Sequence, residues 1–335
     1  MHRRWHTRHP VVLFGHVVCP DPSSERGREL TGLEVANVQE ASTESPAARL
    51  LFVGGVHGRT GTSVVKRLLC SHPKVSAVSG GETRMLEAVS EVWPMLDADA
   101  GYTPGAASTA LAGFACHVRE TLGDTVEVQA ALQCLFAGLG APAVRLVGRP
   151  RLPLPSPMSS RELAPLFGTF LTSVFRAAAL DPSRPFLCEK TPSNAQYVRR
   201  LRQCMPDCRV IVMARHPVHA ALSHTRRDWG PPDPVEAAAY TAAYFRSWRG
   251  AAVDDECVLM VRHERLVAEP RQVLDEIRAF LQLPPDVVWL DQASSEIRSS
   301  QDRTLSLPGE ELVRVHAELA REMACYGYRA SAEAR

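Results

Sequence analysis

Leu51-Phe-Val-Gly-Gly-Val-His-Gly-Arg-Thr-Gly-Thr-Ser-Val-Val-Lys-Arg-Leu-Leu69 reads as a buried strand, a glycine-rich turn and a helix that opens on Thr62 and Ser63. A turn of this kind aims backbone N–H groups and the positive end of a helix dipole at one point. Thr62 and Ser63 add hydroxyl donors, and Arg59 adds a charged fork that matches a phosphate or sulfate oxygen. Arg59, Thr60, Gly61, Thr62 and Ser63 therefore read as a phosphate cradle. The pattern departs from a Walker loop, because Gly61-Thr62-Ser63 stands where Gly-Lys-Ser/Thr would be.

Outward from this loop the chain alternates apolar strands with amphipathic helices. Strands are expected at 50–56, 74–78, 186–189, 209–214 and 257–261. Helices are expected at 61–71, 82–93, 106–117, 126–139, 162–179, 195–203, 218–227, 237–250, 271–281 and 310–324. The first helix should bury Val64, Val65, Leu68 and Leu69. Such alternation predicts an α/β protein with a three-layer parallel sheet and a P-loop-like nucleotide-binding core. Residues 141–160 hold five prolines and read as a loop. Residues 1–47 read as a flexible tail before a domain at 48–329.

A second cluster follows the strand at 209–214. It comprises Arg215 at the strand end, then Ser223 eight residues on, then Arg226 and Arg227, the last three read as part of one helix. A third is Phe186-Leu-Cys-Glu-Lys-Thr-Pro192, with Lys190 at a strand end, where α/β sheets place their ligands. Glu189 beside it is a candidate ion partner for Lys190.

Taken together, these motifs resemble the sulfotransferases that use 3′-phosphoadenosine 5′-phosphosulfate (PAPS). Arg59-Thr-Gly-Thr-Ser63 is similar to the family's Arg-Ser-Gly-Thr-Thr, and Arg215 and Ser223 have the spacing of its 3′-phosphate pair. Val258 to Pro270 resembles its late strand-and-helix block. Ser79-Gly-Gly-Glu-Thr-Arg84 is similar to the Gly-Glu-Glu-Thr-Arg of tyrosylprotein sulfotransferases, with Gly81 in place of the first Glu. Cys188-Glu-Lys-Thr-Pro192 matches their Cys-Asn-Lys-Asp-Pro at Cys, Lys and Pro.

The resemblance implies PAPS as sulfonyl donor, adenosine 3′,5′-bisphosphate as product, and no metal. It makes Glu82 the candidate base, Lys190 the cation at the leaving oxygen, and Arg59 a contact to both phosphate and transferring sulfonyl group. It leaves Arg215, Ser223 and Arg227, or Arg226, to hold the 3′-phosphate. The expected partner is a hydroxyl-bearing acceptor, with peptide tyrosine ahead of glycans and small molecules, shaped by residues 88–180. Glu82 at a helix start also fits a dipole-favoured capping carboxylate. Two other functions compete: a P-loop kinase and a nucleotide-binding module without turnover. The absence of a Walker Lys, and Arg215 where a kinase would need a magnesium-holding Asp, weigh against the first.

Composition sets the frame. Hydrophobic residues make up 45% and charged residues 22% of 335, enough for a sizeable core. A net charge of +1 gives no reason to expect nucleic acid. Nine scattered cysteines without a Cys-x-x-Cys read as buried thiols in a reducing compartment. No stretch has the ~20 apolar residues of a membrane span, so a cytoplasmic enzyme is expected. A basic segment before Asp21, with His2, His6 and His9, reads as tail or targeting sequence. A homodimer is compatible with the sequence.

Overall fold

The computed structural model describes residues 49–78, 81–88, 104–139, 160–249, 256–297 and 307–328. The flexible tail expected at 1–47, most of the loop expected at 141–160 and the second half of the helix expected at 82–93 lie outside them.

Five strands form one parallel sheet: β1 (Arg49–Gly55), β2 (Val75–Ala77), β3 (Phe186–Lys190), β4 (Arg209–Ala214) and β5 (Val258–Arg262), in the order β2-β3-β1-β4-β5. The register pairs Val53 of β1 with Lys190 on one side and with Ile211 on the other. Because side chains alternate along a strand, one strand feeds two cores. Leu50 and Phe52 join a cluster with Val210 and Val212, whereas Leu51 and Val53 join Ile211 and Met213 on the opposite face. Burying one such side chain contributes about 2 kcal/mol.

The first face is covered by α3 (Pro104–Leu122), α4 (Val126–Gly138), α5 (Ser160–Ala177) and α6 (Val198–Cys204). The second is covered by α1 (Thr62–Cys70), α9 (His263–Ala268), α10 (Pro270–Phe280) and α11 (Val287–Ser295). A third cluster joins α7 (Pro217–His224), α8 (Pro234–Arg249) and α12 (Gly309–Cys325). The three-layer α/β expectation holds.

Several local expectations change. Residues 82–84 are not helical, with Arg84 in the left-handed region, and the helix there, α2, is Met85–Ala88. Val64 is 36% exposed, because α1 turns only Val65, Leu68 and Leu69 inward, together with Thr62. The expected helix at 195–203 begins earlier, as a 3-10 turn, Pro192–Tyr197, with Pro192 at its first position, and becomes α-helical as α6 only from Val198. That turn packs straight onto β1 at Gly54, where a Cβ would stand 2.5 Å from the Ala195 backbone nitrogen. Helix α7 stops at His224, so Arg226 and Arg227 lie in the following turn. Cys188, Cys204, Cys208 and Cys257 are buried as expected, but Cys134 and Cys325 are exposed.

Candidate functional site

The sheet order creates a switch point. The connection after β1 runs through α1 toward β2, and the connection after β4 runs the other way toward β5. Adjacent strands with diverging connections leave a crevice at their carboxyl ends, where open α/β sheets bind ligands. The glycine-rich loop leaves β1 there, and Arg215 leaves β4 beside it.

The loop is built by its backbone angles. Gly61 caps α1 in the left-handed region (φ 99°), and Arg59 also has a positive φ of 68°. A Cβ on Gly61 would lie 2.9 Å from Cδ2 of His263, so the turn leaves no room for a side chain. Thr62 is the first helical residue, and no side chain of the chain itself caps α1. The Gly61 carbonyl takes the Val64 and Val65 N–H groups, so those of Thr62 and Ser63 are the ones that can meet an anion.

The two basic clusters meet. Arg59 Nε donates to Ser223 Oγ at 3.1 Å, across 164 residues of sequence. Arg215 Nη1 donates to the Arg59 carbonyl at 3.3 Å. Arg227 is exposed in the turn after α7, and its charge acts on His224. Arg226 is exposed in the same turn.

A second pair lies beyond the end of β3. Lys190 Nζ donates to Glu82 Oε1 at 2.5 Å, with Lys190 7% and Glu82 37% exposed. Glu82 therefore does not cap α2; the Met85 N–H is taken by Thr83 Oγ1 at 3.2 Å. Nor is Glu189 the ion partner of Lys190. Glu189 points elsewhere and accepts from Thr83, Thr191 and Asn194. Lys66 on α1 donates to the Gly81 carbonyl at 3.0 Å and so ties the cradle helix to the Glu82 segment.

Three histidines at the site had no motif to announce them. Burial lowers the pKa of His57 to about 3 and those of His224 and His263 to about 4. The Arg59 charge adds to the effect on His224, and the Arg215 charge to that on His263. These rings are neutral at pH 7. They leave the positive charge of the crevice to Arg59, Arg215 and Lys190. Among the described residues, no group of His, Cys, Asp and Glu is arranged to hold a metal ion. No helix among them is long and apolar enough to cross a membrane.

The model of the family described as "Sulfotransferase family" matches residues 51–287, well over half of the chain. Among solved structures, sulfotransferase STF9 from Mycobacterium avium is 16% identical at a TM-score of 0.45, over 85% of this chain and 78% of that one. The sulfotransferase domain from the Synechococcus PCC 7002 olefin synthase is also 16% identical, with a TM-score of 0.43, over 87% and 98%. An uncharacterized Aquifex aeolicus (strain VF5) protein is 25% identical over 130 residues, which are 35% of this chain and 16% of that relative's length. The family match runs unbroken from the cradle strand, past the Glu82–Lys190 pair and the Arg215 turn, to the start of α11, and by it the chain belongs to the sulfotransferase family.

Proposed function

We propose that the protein moves a sulfonyl group from PAPS to an acceptor hydroxyl. The observation that carries this reading is the contact of Arg59 with Ser223, with Arg215 on the Arg59 carbonyl. It joins the cradle after β1 to the basic turn after β4 in one anion site. The fit rests on the chain itself: an uncapped α1 N-terminus, a left-handed Gly61 with no space for a Cβ, and two guanidinium groups.

In this reading Thr60, Gly61, Thr62 and Ser63 hold the 5′-phosphosulfate through backbone N–H groups and hydroxyls. Arg215, Ser223 and Arg59 grip the 3′-phosphate, with Arg227 at its rim. Arg59 has its Nε on Ser223, so the charge that develops on the leaving oxygen falls to Lys190. Glu82 takes the acceptor proton as the acceptor oxygen bonds to sulfur and the sulfur–oxygen bond to the nucleotide phosphate breaks. Adenosine 3′,5′-bisphosphate leaves with the electron pair of that bond. The Gly81-Glu82-Thr83-Arg84 segment favours a peptide tyrosine as acceptor over a glycan or a small hydroxyl compound. The working domain is 48–329, and the cytoplasm is the proposed location.

Labelled PAPS supplied with a panel of tyrosine peptides, phenols and glycans tests the reaction and ranks the acceptors. Glu82→Ala should fold and bind adenosine 3′,5′-bisphosphate but lose most transfer; unchanged turnover removes Glu82 from the chemistry. Thermal stabilisation by ATP–Mg²⁺ and none by the bisphosphate would favour a kinase instead.

A further inference from the structure

We propose that Glu189 is a positioning residue that fixes the Glu82–Lys190 pair, an inference that rests on the roles given to those two groups above. Glu189 is 2% exposed at the end of β3, adjacent in sequence to Lys190. Its Oε1 accepts from the Thr83 backbone N–H at 3.3 Å, the Thr83 hydroxyl at 2.9 Å and the Thr191 hydroxyl at 2.8 Å. Its Oε2 accepts from the Asn194 side-chain amide.

The proton directions in this cage are forced. The Thr83 hydroxyl oxygen accepts from the Met85 N–H at 3.2 Å, and the Thr191 hydroxyl oxygen accepts from the Arg84 N–H at 3.2 Å. A carboxylate has no proton to give, so each hydroxyl sends its own proton to Glu189 while its oxygen accepts the backbone N–H. Thr83 follows Glu82 directly, and Thr191 follows Lys190. The carboxylate thus clamps together the backbones on either side of the pair, which come from segments 106 residues apart. Arg84, at φ 48°, is held in the left-handed region by the same network. A buried carboxylate is a poor device for stability alone, since an apolar replacement of similar volume often serves as well or better. What it supplies here is a fixed geometry. Glu82 is over a third exposed and, without the clamp on Thr83, would be free to leave Lys190.

Two near-isosteric variants test this, each alone and in a Glu82→Ala background. Glu189→Gln loses the charge and one acceptor oxygen, and Thr83→Val loses one hydroxyl. Each should lower kcat for transfer from PAPS to the best acceptor of the panel about tenfold or more. The affinity for adenosine 3′,5′-bisphosphate should stay within about twofold of wild type. In the Glu82→Ala background the same changes should lower kcat by less than about twofold, because no base is left to misplace. A purely structural role predicts the same loss in both backgrounds, and that result overturns the proposal.

A readout independent of turnover comes from the lysines, of which the chain has only Lys66, Lys74 and Lys190. Amine labelling of Lys190, measured by mass spectrometry against exposed Lys74, should rise in Glu189→Gln and Thr83→Val as it does in Glu82→Ala. If Glu82→Ala transfers at the wild-type rate, the base assignment falls and labelling decides the positioning. A rise at Lys190 in Glu189→Gln then upholds it, and an unchanged Lys190 overturns it.

Discussion

Gly61→Ala isolates the feature on which the cradle depends. Gly61 has φ 99° and ψ 9°, a left-handed conformation that costs an L-residue with a Cβ about 1–2 kcal/mol. The new Cβ would also stand 2.9 Å from His263 Cδ2, closer than van der Waals contact allows. The obstacle is a ring on the neighbouring α9, which can move by a few tenths of an ångström at about 1 kcal/mol. The sum is about 2–3 kcal/mol of lost stability if the turn keeps its shape. In a domain of this size that lowers Tm by roughly 4 °C.

The alternative is that the turn relaxes, and then binding is lost instead. The uncapped N–H groups of α1 would no longer converge, and the affinity for adenosine 3′,5′-bisphosphate should fall tenfold or more, at about 1.4 kcal/mol per decade. Calorimetric unfolding and titration with the bisphosphate separate the two. The double variant Gly61→Ala/His263→Ala removes the collision but keeps the dihedral strain, so it should recover only part of the loss caused by Gly61→Ala, measured against His263→Ala. A Gly61→Ala protein with wild-type Tm and wild-type affinity would refute the argument, since neither the angle nor the close approach would then matter.

Two further expectations follow. Arg215→Ala and Ser223→Ala should each weaken the affinity for adenosine 3′,5′-bisphosphate more than they slow transfer at saturating donor; the reverse pattern in single-turnover kinetics removes them from the 3′-phosphate grip. Stability should fall on acidification below about pH 6.5, because His57, His224 and His263 titrate near 3, 4 and 4 when folded but near 6.5 when unfolded. The unfolded chain then binds the extra protons, so each histidine's contribution is complete above pH 6.5 and drains away toward pH 4, by up to about 1.4 kcal/mol per pH unit. Replacing His57 with Phe should flatten the Tm profile between pH 6.5 and 4, and an unaltered slope would show that His57 is not held neutral.

The parts of the fold legible in the sequence are those with long or repeated signals. The apolar runs of β1 and β4 and the nineteen residues of α3 carry enough pattern to be placed from composition alone. Short elements do not. Helix α11 follows two prolines and exposes Val287 and Val288, so its apolar pattern points the wrong way, and it was not foreseen. Helix α9, of six residues, is shorter than two turns. The length of α7 was overestimated because nothing between Ser223 and Arg227 breaks a helix locally. Its end follows from the Arg227 N–H reaching the His224 carbonyl and from the tight turn at Gly230.

The candidate site divides the same way. Motif residues such as Arg59, Lys190, Arg215 and Ser223 are visible because they belong to recognisable runs in and around the strand-to-helix connections after β1, β3 and β4. Thr83 is one undistinguished residue between Glu82 and Arg84. Only the fold shows that its hydroxyl meets a carboxylate 106 residues away. Glu189 misled for the same reason. Adjacency in sequence suggested a partnership with Lys190, but neighbours on a strand point to opposite faces, and that alternation alone should have separated them.

The pairing of Glu82 with Lys190 bears on how the proposed reaction would begin. While Lys190 sits on Glu82, the ammonium occupies the carboxylate oxygen Oε1, which is then not open to an acceptor proton. The same lysine is the one that the proposed reaction assigns to the leaving oxygen. A donor that draws Lys190 toward that oxygen therefore frees the Glu82 oxygen in the same movement, so proton removal would wait on the arrival of donor. Glu82 is the more exposed partner and Lys190 the more buried, so the acceptor should reach the carboxylate from the solvent side while the lysine stays with the nucleotide. This order makes a kinetic claim: the acceptor proton should be hard to remove until donor is bound. Pre-loading with acceptor should then give no faster a first turnover than pre-loading with PAPS. A burst seen only when acceptor is bound first would contradict the coupling between the two groups.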